Sequence, residues 1–545
     1  MTASTPPTDR LPTDLTPRGT SLINGADTLG QGSAFRASDP RDGSPLQPTY
    51  QSVTQDQLDQ AMVAAVAARR APIDFGAMAR ALGAMADEFE AAGDLVVATA
   101  DEETALGEGR LHGELGRTVG QLRMMGAEAL AGTRRGVTAD PAGDGPAAPA
   151  LFRTTVPLGI VGVFAASNFP LAFGVAGTDT AAALAAGCPV VAKAHPAQPA
   201  TAELCGRLMR RGLAAAGLPA GFVQVLHEEG HEIGQALVAH PDTDAVAFTG
   251  SLRGGRALFD LAAARPRPIP VYAEMGSLNP LVVSPGAAAA GDTGLVEGIL
   301  GSALQGEGQF CTKPGLVVLP TGPGGDAVLE GLAAGIVGHR PAHPLLHAGI
   351  TAGFQQGLAA LADLPGVTLV RAGAGAGRAG ARSGPASSGD PDRHDPEGWA
   401  ASAGGCEAAM LQATPEALLL NRALREELFG PVTVVVQIDE TQLPALLESL
   451  DPALTATLHF SDEEVGWATS MADLLARKVG RVIARGYPTG VRVSPGQHHG
   501  GPYPATTSPL HTSVGLAAID RFLRPVTFQS FDRATLPSWA APDTA

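Results

Sequence analysis

The sequence predicts an α/β protein whose first large domain is a doubly wound parallel sheet and whose second domain is also α/β. At 545 residues the chain is too long for one compact core, so two or three domains are expected. Between residues 158 and 276, short apolar strands alternate with helical segments, and a second alternation follows from residue 277. Such alternation is typical of parallel βαβ units with helices on both faces of the sheet.

The elements of the first domain are predicted from periodicity. Apolar residues at helical spacing run from Thr54 to about Gly132 and predict helices. After them the predicted strands are 158–165, 189–195, 222–227, 244–250 and 270–276, and the predicted helices are 173–187, 200–217, 231–240 and 251–264. We assign residues 21–135 and 157–276 to this domain.

The rest of the chain divides into a second domain and less regular segments. A second domain over residues 277–500 is predicted, and its strands are the apolar runs LVVSPG, LVVLP, EAAMLQA, VTVVVQI and LTATLHF. The low-complexity stretch 372–405 is expected to be a flexible insert. The Pro-, Thr- and Asp-rich residues 1–20 are expected to be disordered, and residues 133–150 predict irregular chain or a weak hairpin.

Composition and charge exclude several classes of function. Hydrophobic residues make up 45% of the chain, as in a folded protein, and 37 basic residues against 54 acidic ones give a net charge of −17. The chain has no Lys/Arg-rich run, so we expect no nucleic-acid partner. No 18-residue apolar run and no signal-peptide core segment are present, so we expect no membrane partner and a cytoplasmic protein.

The four cysteines, Cys188, Cys205, Cys311 and Cys406, are scattered along the chain. They form no CxxC pair and have no histidines at zinc-finger spacing, so neither a disulfide scaffold nor a metal site is expected. Cys311 differs from the others because it lies among small and polar residues in GEGQFCTKPG, which indicates an accessible thiol. The alternative is a buried, inert cysteine, which is the common case.

Polar residues follow several predicted strands, where open α/β sheets place their ligands. Asn168 has a side-chain amide that suits an oxyanion, although it also fits a turn before Pro170. Glu274 ends an apolar strand, which makes it a candidate for a raised pKa and for general-base chemistry, or else a solvated carboxylate.

A Gly-rich turn and a lysine predict contacts with a phosphate-bearing ligand. Gly250, Ser251 and Gly255 bracket a strand-to-helix turn, and a helix N-terminus favours phosphate. The turn is not GxGxxG, so on its own it is weak evidence. Lys193 ends another strand and suits a point-charge contact to a ribose hydroxyl or phosphate.

Taken together, these residues resemble the aldehyde dehydrogenase superfamily. Asn168, Lys193, the Gly250 turn, Glu274 and Cys311 occur in that family's order, and EELFGPV (426–432) is similar to its cofactor-ribose motif. The resemblance spans roughly residues 30–530. It implies the aldehyde dehydrogenase fold, in which a small hairpin and a C-terminal strand, here 136–156 and 501–545, join subunits into a homodimer or homotetramer.

The resemblance also implies roles for individual residues. Cys311 is the nucleophile, Glu274 the base and Asn168 the oxyanion donor, while NADP or NAD accepts hydride. The residues implied at the cofactor are Lys193, Gly250, Ser251, Gly255, Glu427, Phe429 and His231, and those implied at the substrate are Arg117, Gln121, Phe169 and Thr312. Lys313, two residues after Cys311, is a candidate for lowering the pKa of the thiol unless it points into solvent.

Within the superfamily, three sequence motifs are most similar to those of the α-ketoglutaric semialdehyde dehydrogenases. These motifs are ASNFPLAFGVAGTDTAAALAAGCPVVAKAHPA, GQFCTKPG and HGGPYPATTS. That resemblance implies oxidation of this small-molecule aldehyde to 2-oxoglutarate. NADP-dependent fatty-aldehyde dehydrogenases have similar sequences in these motifs and are the nearest alternative.

More distant hypotheses are a CoA-acylating enzyme, a Cys/His hydrolase and a catalytically inert homologue. Retention of Glu274 favours hydrolysis of the intermediate over transfer to CoA. A hydrolase needs a histidine beside Cys311, for which the candidates are His227, His231, His498, His499 and His511. An inert homologue predicts loss of Cys311, Glu274 or Asn168, and all three are present.

Overall fold

The computed structural model describes residues 15–72, 74–144, 148–372, 406–531, 535–537 and 539–540. Most of the predicted flexible insert at 372–405 and of the predicted disordered segment at 1–20 lies outside them. The prediction is wrong for residues 15–20, because the backbone N–H groups of Arg18 and Gly19 donate at 3.0 Å to the buried carboxylate of Glu203.

The strands and helices of the described residues are numbered in chain order. The strands are β1 (Thr20–Ile23), β2 (Ala26–Leu29), β3 (Ala34–Phe35), β4 (Tyr50–Gln51), β5 (Thr138–Asp140), β6 (Leu151–Pro157), β7 (Ile160–Phe164), β8 (Val190–Lys193), β9 (Val223–Leu226), β10 (Thr243–Thr249), β11 (Val271–Glu274), β12 (Pro280–Val283), β13 (Leu316–Pro320), β14 (Val367–Arg371), β15 (Ala409–Ala413), β16 (Val432–Ile438), β17 (Ala453–His459), β18 (Val479–Ala484) and β19 (Leu523–Gln529). The α-helices are α1 (Gln55–Arg70), α2 (Phe75–Ala91), α3 (Gly93–Thr104), α4 (Glu108–Ala131), α5 (Thr178–Ala185), α6 (Pro199–Ala215), α7 (Glu232–Ala239), α8 (Leu252–Ala263), α9 (Pro285–Ala289), α10 (Thr293–Leu304), α11 (Pro323–Gly338), α12 (Ala348–Ala362), α13 (Pro415–Leu420), α14 (Leu443–Ser449) and α15 (Val465–Ala476).

The first sheet has the strand order β11-β10-β7-β8-β9-β1-β2, and β7 to β11 run parallel. Different helices pack against its two faces. Val161 and Val163 pack in a cluster with α2, α4, α5 and α6, whereas Ile160 and Val191 pack with α1 and α7. The predicted doubly wound α/β fold is therefore confirmed.

One predicted helix of this domain is shorter than expected. Residues 173–187 were expected to be helical, but α5 begins only at Thr178. The preceding turn is held by the buried carboxylate of Glu114, which accepts hydrogen bonds from the backbone N–H groups of Leu171 at 2.8 Å and Ala172 at 2.9 Å. This turn fixes the segment that carries Asn168.

The second sheet has the strand order β14-β15-β16-β13-β12-β17-β18, in which β14 alone runs antiparallel to its neighbour. It also has helices on both faces: α10 and α11 contribute Ile299 and Leu332 to one core, and α12 contributes Phe354 to the other. The edge strand β18 was not predicted, because its sequence VGRVIA includes a charged residue and two weak strand formers.

A third, small sheet has the order β19-β6-β5. The C-terminal strand β19 pairs along its whole length with β6 of the same chain, from Leu523 opposite Pro157 to Gln529 opposite Leu151. Within the segment 133–150, where a weak hairpin was predicted, β5 pairs antiparallel with β6. Subunit bridging by these strands stays a prediction.

Residues 501–513 were assigned to the bridging segment, and the structure places them elsewhere. The backbone N–H of Met275 donates to the carbonyl of Ala505 at 2.8 Å, and Glu274 forms a β-bridge with Thr506. This stretch therefore packs against the end of β11.

Among the described residues, no helix is both long and apolar enough to cross a membrane.

Candidate active site

The carboxyl ends of the central strands open onto one large cavity of about 980 Å³. Its lining includes residues at or just after the ends of β7, β8, β10 and β11 and in the loop before β13, namely Asn168, Lys193, Gly250, Glu274 and Cys311. This is the edge of a parallel sheet where ligands bind. The structure therefore brings together the main residues that the sequence singled out.

Cys311 is presented by a tightly tethered loop between α10 and β13. Gly308 has a φ of +66°, and a Cβ there would lie 2.0 Å from the carbonyl oxygen of Gly430, so only glycine allows this approach. The side-chain amide of Asn279 donates to the carbonyls of Cys311 at 2.8 Å and Lys313 at 3.0 Å. All four cysteines are free, and Cys311 alone is not buried.

Lys313 does not point into solvent, because its side chain is buried and its ammonium is directed to backbone carbonyls. Its ammonium donates to three carbonyls of one neighbouring segment: Leu428 at 2.8 Å, Gly430 at 2.7 Å and Val432 at 2.9 Å. Burial lowers the pKa of this side chain, and the nearby carboxylate of Glu427 opposes that effect. Lys313 therefore ties the loop of Cys311 to the segment that carries Glu427 and Phe429.

Two of the residues that line the cavity, Glu274 and Cys311, form a close group with His499. The Nε2 atom of His499 lies 3.8 Å from the Sγ of Cys311 and 3.0 Å from the Oε1 of Glu274. Both Glu274 and His499 are buried, and the hydroxyl of Ser513 donates to the Oε2 of Glu274. We call Cys311, Glu274 and His499 the polar centre.

The pKa shifts in the polar centre define its resting protonation. Burial raises the pKa of Cys311 well above its usual value, and the carboxylates of Glu274 and Glu427 raise it further against the opposing effect of Arg117. Burial also raises the pKa of Glu274, but His499 and Ser513 outweigh it and hold this pKa below its usual value. The expectation of a raised pKa for Glu274 is thus wrong. The centre pairs a neutral thiol with an ionised carboxylate.

Asn168 lies between the turn after β7 and the loop of Cys311. Its side-chain amide donates to the carbonyl of Gln309 at 3.1 Å, which leaves the second N–H of the same amide for a ligand. The guanidinium of Arg110 donates to the backbone carbonyl of Asn168 at 2.6 Å. These contacts fix the amide beside the thiol-bearing loop.

Most of the predicted cofactor residues line the cavity, namely Lys193, His231, Gly250, Ser251, Glu427 and Phe429. The hydroxyl of Ser251 caps α8 by accepting from Gly254 at 3.2 Å. The Oε1 atom of Glu427 is buried without a hydrogen-bond partner, as expected for an acceptor awaiting a ligand hydroxyl. Gly255 does not line the cavity: a Cβ there would lie 2.6 Å from Met275, so this glycine serves the packing of α8 on β11.

The four predicted substrate residues do not line the large cavity. Arg117 is packed with its Cζ 5.2 Å from the ring centroid of Phe173, and its Nε and Nη2 have no hydrogen-bond partner. The Oε1 of Gln121 accepts from Thr178 at 2.6 Å. Thr312 is fully buried next to the nucleophile.

Phe169 belongs to a group of rings that we call the aromatic wall, made of Phe169, Phe173 and Phe310. The ring of Phe169 packs edge-on against Phe173 at 5.7 Å and against Phe310 at 5.2 Å between centroids. Arg110 stacks over Phe310 at 4.7 Å. Phe310 joins this apolar, cation-bearing surface to Cys311, the next residue in the chain.

His499 and Ser513 are the functional residues that sequence reasoning did not assign. His499 was one of five histidines considered as a partner for Cys311, but nothing in the motif HHGG separates it from His498. The signal that distinguishes it is tertiary: Ser513 donates its backbone N–H to the carbonyl of His499 at 2.8 Å, folding this stretch onto Glu274.

A reactive thiol beside a carboxylate, at the edge of a doubly wound sheet with a ligand-sized cavity, defines a thiol-dependent dehydrogenase. Residues 29–338 match the family model described as "Aldehyde dehydrogenase family". The chain belongs to the aldehyde dehydrogenase family, whose members are oxidoreductases.

Two curated relatives are similar along nearly the whole chain. Alpha-ketoglutaric semialdehyde dehydrogenase 2 of Azospirillum brasilense is 42% identical over 530 residues, covering 95% of each chain. Alpha-ketoglutaric semialdehyde dehydrogenase of Acinetobacter baylyi is 37% identical over 536 residues, again covering 95% of each. Among solved structures, PnpE from Pseudomonas sp. WBC-3 in complex with nicotinamide adenine dinucleotide has the same fold, with a TM-score of 0.77 at 22% identity over 94% of this chain and 97% of that one.

Proposed function

We propose that this protein oxidises α-ketoglutaric semialdehyde to 2-oxoglutarate with NADP⁺ or NAD⁺ through a thioester on Cys311. The observation that carries the chemistry is the polar centre, where a thiol and a carboxylate that line the cavity meet an imidazole. Support for the substrate comes from the two full-length relatives that bear its name.

The first step is attack of the Cys311 sulfur on the aldehyde carbon. Because burial keeps the thiol protonated, the polar centre must take up its proton: the Nε2 of His499 passes its own proton to the carboxylate of Glu274 at 3.0 Å and accepts that of the thiol at 3.8 Å. Attack forms the C–S bond and moves the carbonyl electrons onto oxygen. The amide of Asn168 and the backbone N–H of Cys311 stabilise that oxyanion, and one such donor contributes roughly 10²–10³ in rate.

The cavity fits a dinucleotide on the evidence of its own residues. The unpartnered Oε1 of Glu427 offers an acceptor for a ribose hydroxyl, Lys193 offers a cation, and the capped N-terminus of α8 at Ser251 suits a phosphate. When bound there, NAD(P)⁺ supplies the hydride acceptor that oxidation of the thiohemiacetal requires. Collapse of that adduct leaves the acyl group on Cys311 as a thioester.

The second half-reaction is hydrolysis of the thioester. Glu274 is held ionised by His499 and Ser513, so it is present as a base at neutral pH. It accepts a proton from water as water attacks the acyl carbon, and the C–S bond breaks to return the thiol. The carboxylic acid product then leaves.

Recognition of the substrate carboxylate is assigned to Arg117. Burial lowers the pKa of Arg117, while Glu114, the Cys311 thiolate and Glu274 raise it, so this guanidinium lies within electrostatic range of the polar centre. Its Nε and Nη2 are buried without partners, which favours a ligand carboxylate over a purely structural role. Arg481 also interacts with the Cys311 thiolate and has an unpartnered Nε.

The alternatives make different demands on these residues. A fatty-aldehyde enzyme has no use for an unpaired guanidinium beside an apolar wall. A Cys/His hydrolase would use the same pair of Cys311 and His499, but it leaves the cavity and the free acceptor on Glu427 without a role. Transfer to CoA would not need the base Glu274, and an inert homologue would need none of the three residues of the polar centre.

The oligomeric state and the cellular location of the enzyme are also proposals. We infer a homodimer or homotetramer, because Thr154 is the one fully buried residue of β5, β6 and β19, and an uncovered sheet favours association. A monodisperse monomer in light scattering at micromolar concentration would contradict this. Four free cysteines fit the reducing cytoplasm.

The experiment that tests the function is a panel of aldehydes assayed with both dinucleotides. α-Ketoglutaric semialdehyde, succinic semialdehyde and long-chain alkanals would each be followed by NAD(P)H absorbance. The proposal predicts the highest kcat/KM for α-ketoglutaric semialdehyde. A preference for long alkanals would assign the protein to the fatty-aldehyde class, and no NAD(P)H with any aldehyde would contradict oxidation itself.

A further inference from the structure

The three donor atoms of the polar centre are arranged as a set of metal ligands. The Sγ of Cys311, a ring nitrogen of His499 and a carboxylate oxygen of Glu274 all lie within 4.8 Å of one another. The separations are 3.8 Å from sulfur to nitrogen and 3.0 Å from nitrogen to oxygen. A tetrahedral zinc ion with Zn–S near 2.3 Å and Zn–N and Zn–O near 2.1 Å sets neighbouring donors about 3.3–3.6 Å apart.

The geometry points to a reversible inhibitory site for one soft divalent cation, of the class of Zn²⁺ or Cd²⁺, bound by Cys311, His499 and Glu274. The ligand types select this class, since thiolate and imidazole prefer zinc-like ions, whereas Mg²⁺ and Ca²⁺ prefer oxygen donors. Three protein ligands leave a fourth position for water from the cavity.

Two further observations support a ligand at this place. The Oε1 of Glu274 is buried and has no hydrogen bond of acceptable geometry, despite its 3.0 Å separation from His499, so it is an acceptor in need of a partner. Cys311 lines the cavity, which gives an ion a route to the buried donors. A divalent cation would also be neutralised by one thiolate and one carboxylate, which removes most of the cost of burying it.

Binding involves no redox chemistry. The Sγ–H bond of Cys311 breaks and its proton leaves to solvent, while bonds form from the metal to sulfur, to the Nε2 of His499 and to an oxygen of Glu274. His499 binds as the tautomer with its hydrogen on Nδ1. The ion occupies the lone pair of the nucleophile, so the chain cannot form its thioester until the metal leaves.

The direct test is metal binding to the protein without aldehyde or dinucleotide. Equilibrium dialysis with Zn²⁺ should find one ion per chain in the wild type, with affinity reduced at least tenfold in His499→Ala and in Cys311→Ser. His498→Ala is the matched control, because this neighbouring histidine is outside the polar centre, and it should bind as the wild type does. Co²⁺ should give a thiolate-to-metal absorption band that Cys311→Ser lacks, and Mg²⁺ should not compete.

A second readout protects the test against a variant that folds poorly. Zn²⁺ should slow alkylation of Cys311 by iodoacetamide in the wild type and in His498→Ala, but not in His499→Ala. Absence of stoichiometric binding, or binding unaffected by both His499→Ala and Cys311→Ser, would overturn the site.

The inhibition, but not the binding, rests on the proposed function. If Zn²⁺ binds as expected but the metal-free protein oxidises no aldehyde, the proposed function fails and the metal site stands. If aldehydes are oxidised at full rate in the presence of bound Zn²⁺, the metal lies elsewhere and only the site is lost.

Discussion

The two surfaces that meet at Cys311 are of opposite character. The polar centre holds ionisable donors within 4.8 Å of one another, and each can take or give a proton. The aromatic wall, which includes Phe310 next to Cys311 in the chain, offers three phenyl rings and the guanidinium of Arg117, which cannot exchange protons at ordinary pH. The comparison teaches that reaction and recognition are divided: one surface sets what chemistry occurs, and the other sets which aldehyde is presented to it.

The largest expected effect comes from removing the nucleophile. Cys311→Ala should abolish aldehyde oxidation, because no other group in the polar centre can form the thioester. Dinucleotide binding should persist, since Glu427, Lys193 and the turn at Gly250 are untouched. Steady-state NAD(P)H formation measures the oxidation, and titration with the cofactor followed by fluorescence measures dinucleotide binding. Turnover equal to that of the wild type would exclude the thioester mechanism.

A large effect on rate and on pH dependence is expected for His499→Ala. The imidazole passes the proton of the thiol to Glu274, so kcat/KM should fall by roughly 10²–10⁴ without it. Glu274 is active when ionised, and its activity is lost as the pH falls through its pKa. Burial raises that pKa and His499 holds it down, so without His499 it rises and the acid limb of kcat should move to higher pH.

The control for this variant is His498→Ala, whose imidazole is outside the polar centre. It should keep the wild-type pH profile. A His499→Ala enzyme with an unmoved acid limb and an unchanged rate would show that Glu274 alone serves both steps.

A selective effect should separate the aromatic wall from the polar centre. Arg117→Met should lower kcat/KM for α-ketoglutaric semialdehyde by roughly 10- to 100-fold, the cost of one charged hydrogen bond, and leave a neutral aldehyde of similar length nearly unchanged. Gln121→Ala should affect both substrates alike, because its side chain is engaged by Thr178.

Arg123→Ala is the matched control on the same helix. Its guanidinium is exposed and pairs with Asp87 and Glu90, so neither substrate should respond. Equal losses on both aldehydes in Arg117→Met would indicate that this residue supports the fold rather than the substrate carboxylate.

The smallest difference is expected between the two cofactors. No carboxylate follows Lys193 in the sequence Lys193, Ala194, His195, Pro196, and Arg253 and His231 line the cavity nearby, so NADP⁺ should be accepted at least as well as NAD⁺. Glu228 lies 4.0 Å from Lys193, but its oxygens accept from the N–H groups of Ile233 and Gly234. A kcat/KM favouring NAD⁺ by more than about a hundredfold, or ~2.7 kcal/mol, would contradict this.

The sequence was sufficient for groups placed by local rules. Glu274 and Asn168 follow strands of a parallel sheet, and such residues meet at one edge whatever the details of packing. The thiol of Cys311 was recognised from its small and polar neighbours. These residues reached one cavity because the strand order of the first sheet brings β7, β8, β10 and β11 side by side.

Groups placed by long-range contacts were beyond sequence reasoning. His499 reaches Glu274 across 225 positions only because the chain after it packs against β11, through contacts such as that of Met275 with Ala505. Lys313 was expected near the thiol from its spacing alone, but three carbonyls between Leu428 and Val432 satisfy its ammonium instead. Burying a charged group is costly unless it is hydrogen-bonded, so the available acceptors decide where a buried ammonium lies.

The most direct test of the division between thioester formation and hydrolysis is a rapid-mixing experiment with Glu274→Gln. The account predicts a burst of one NAD(P)H per active site, followed by slow turnover, because Cys311 still forms the thioester but water lacks its base. Mass spectrometry of the quenched protein should find the acyl group on the peptide that contains Cys311. A steady state at the wild-type rate, or no burst and no acyl peptide, would contradict the account.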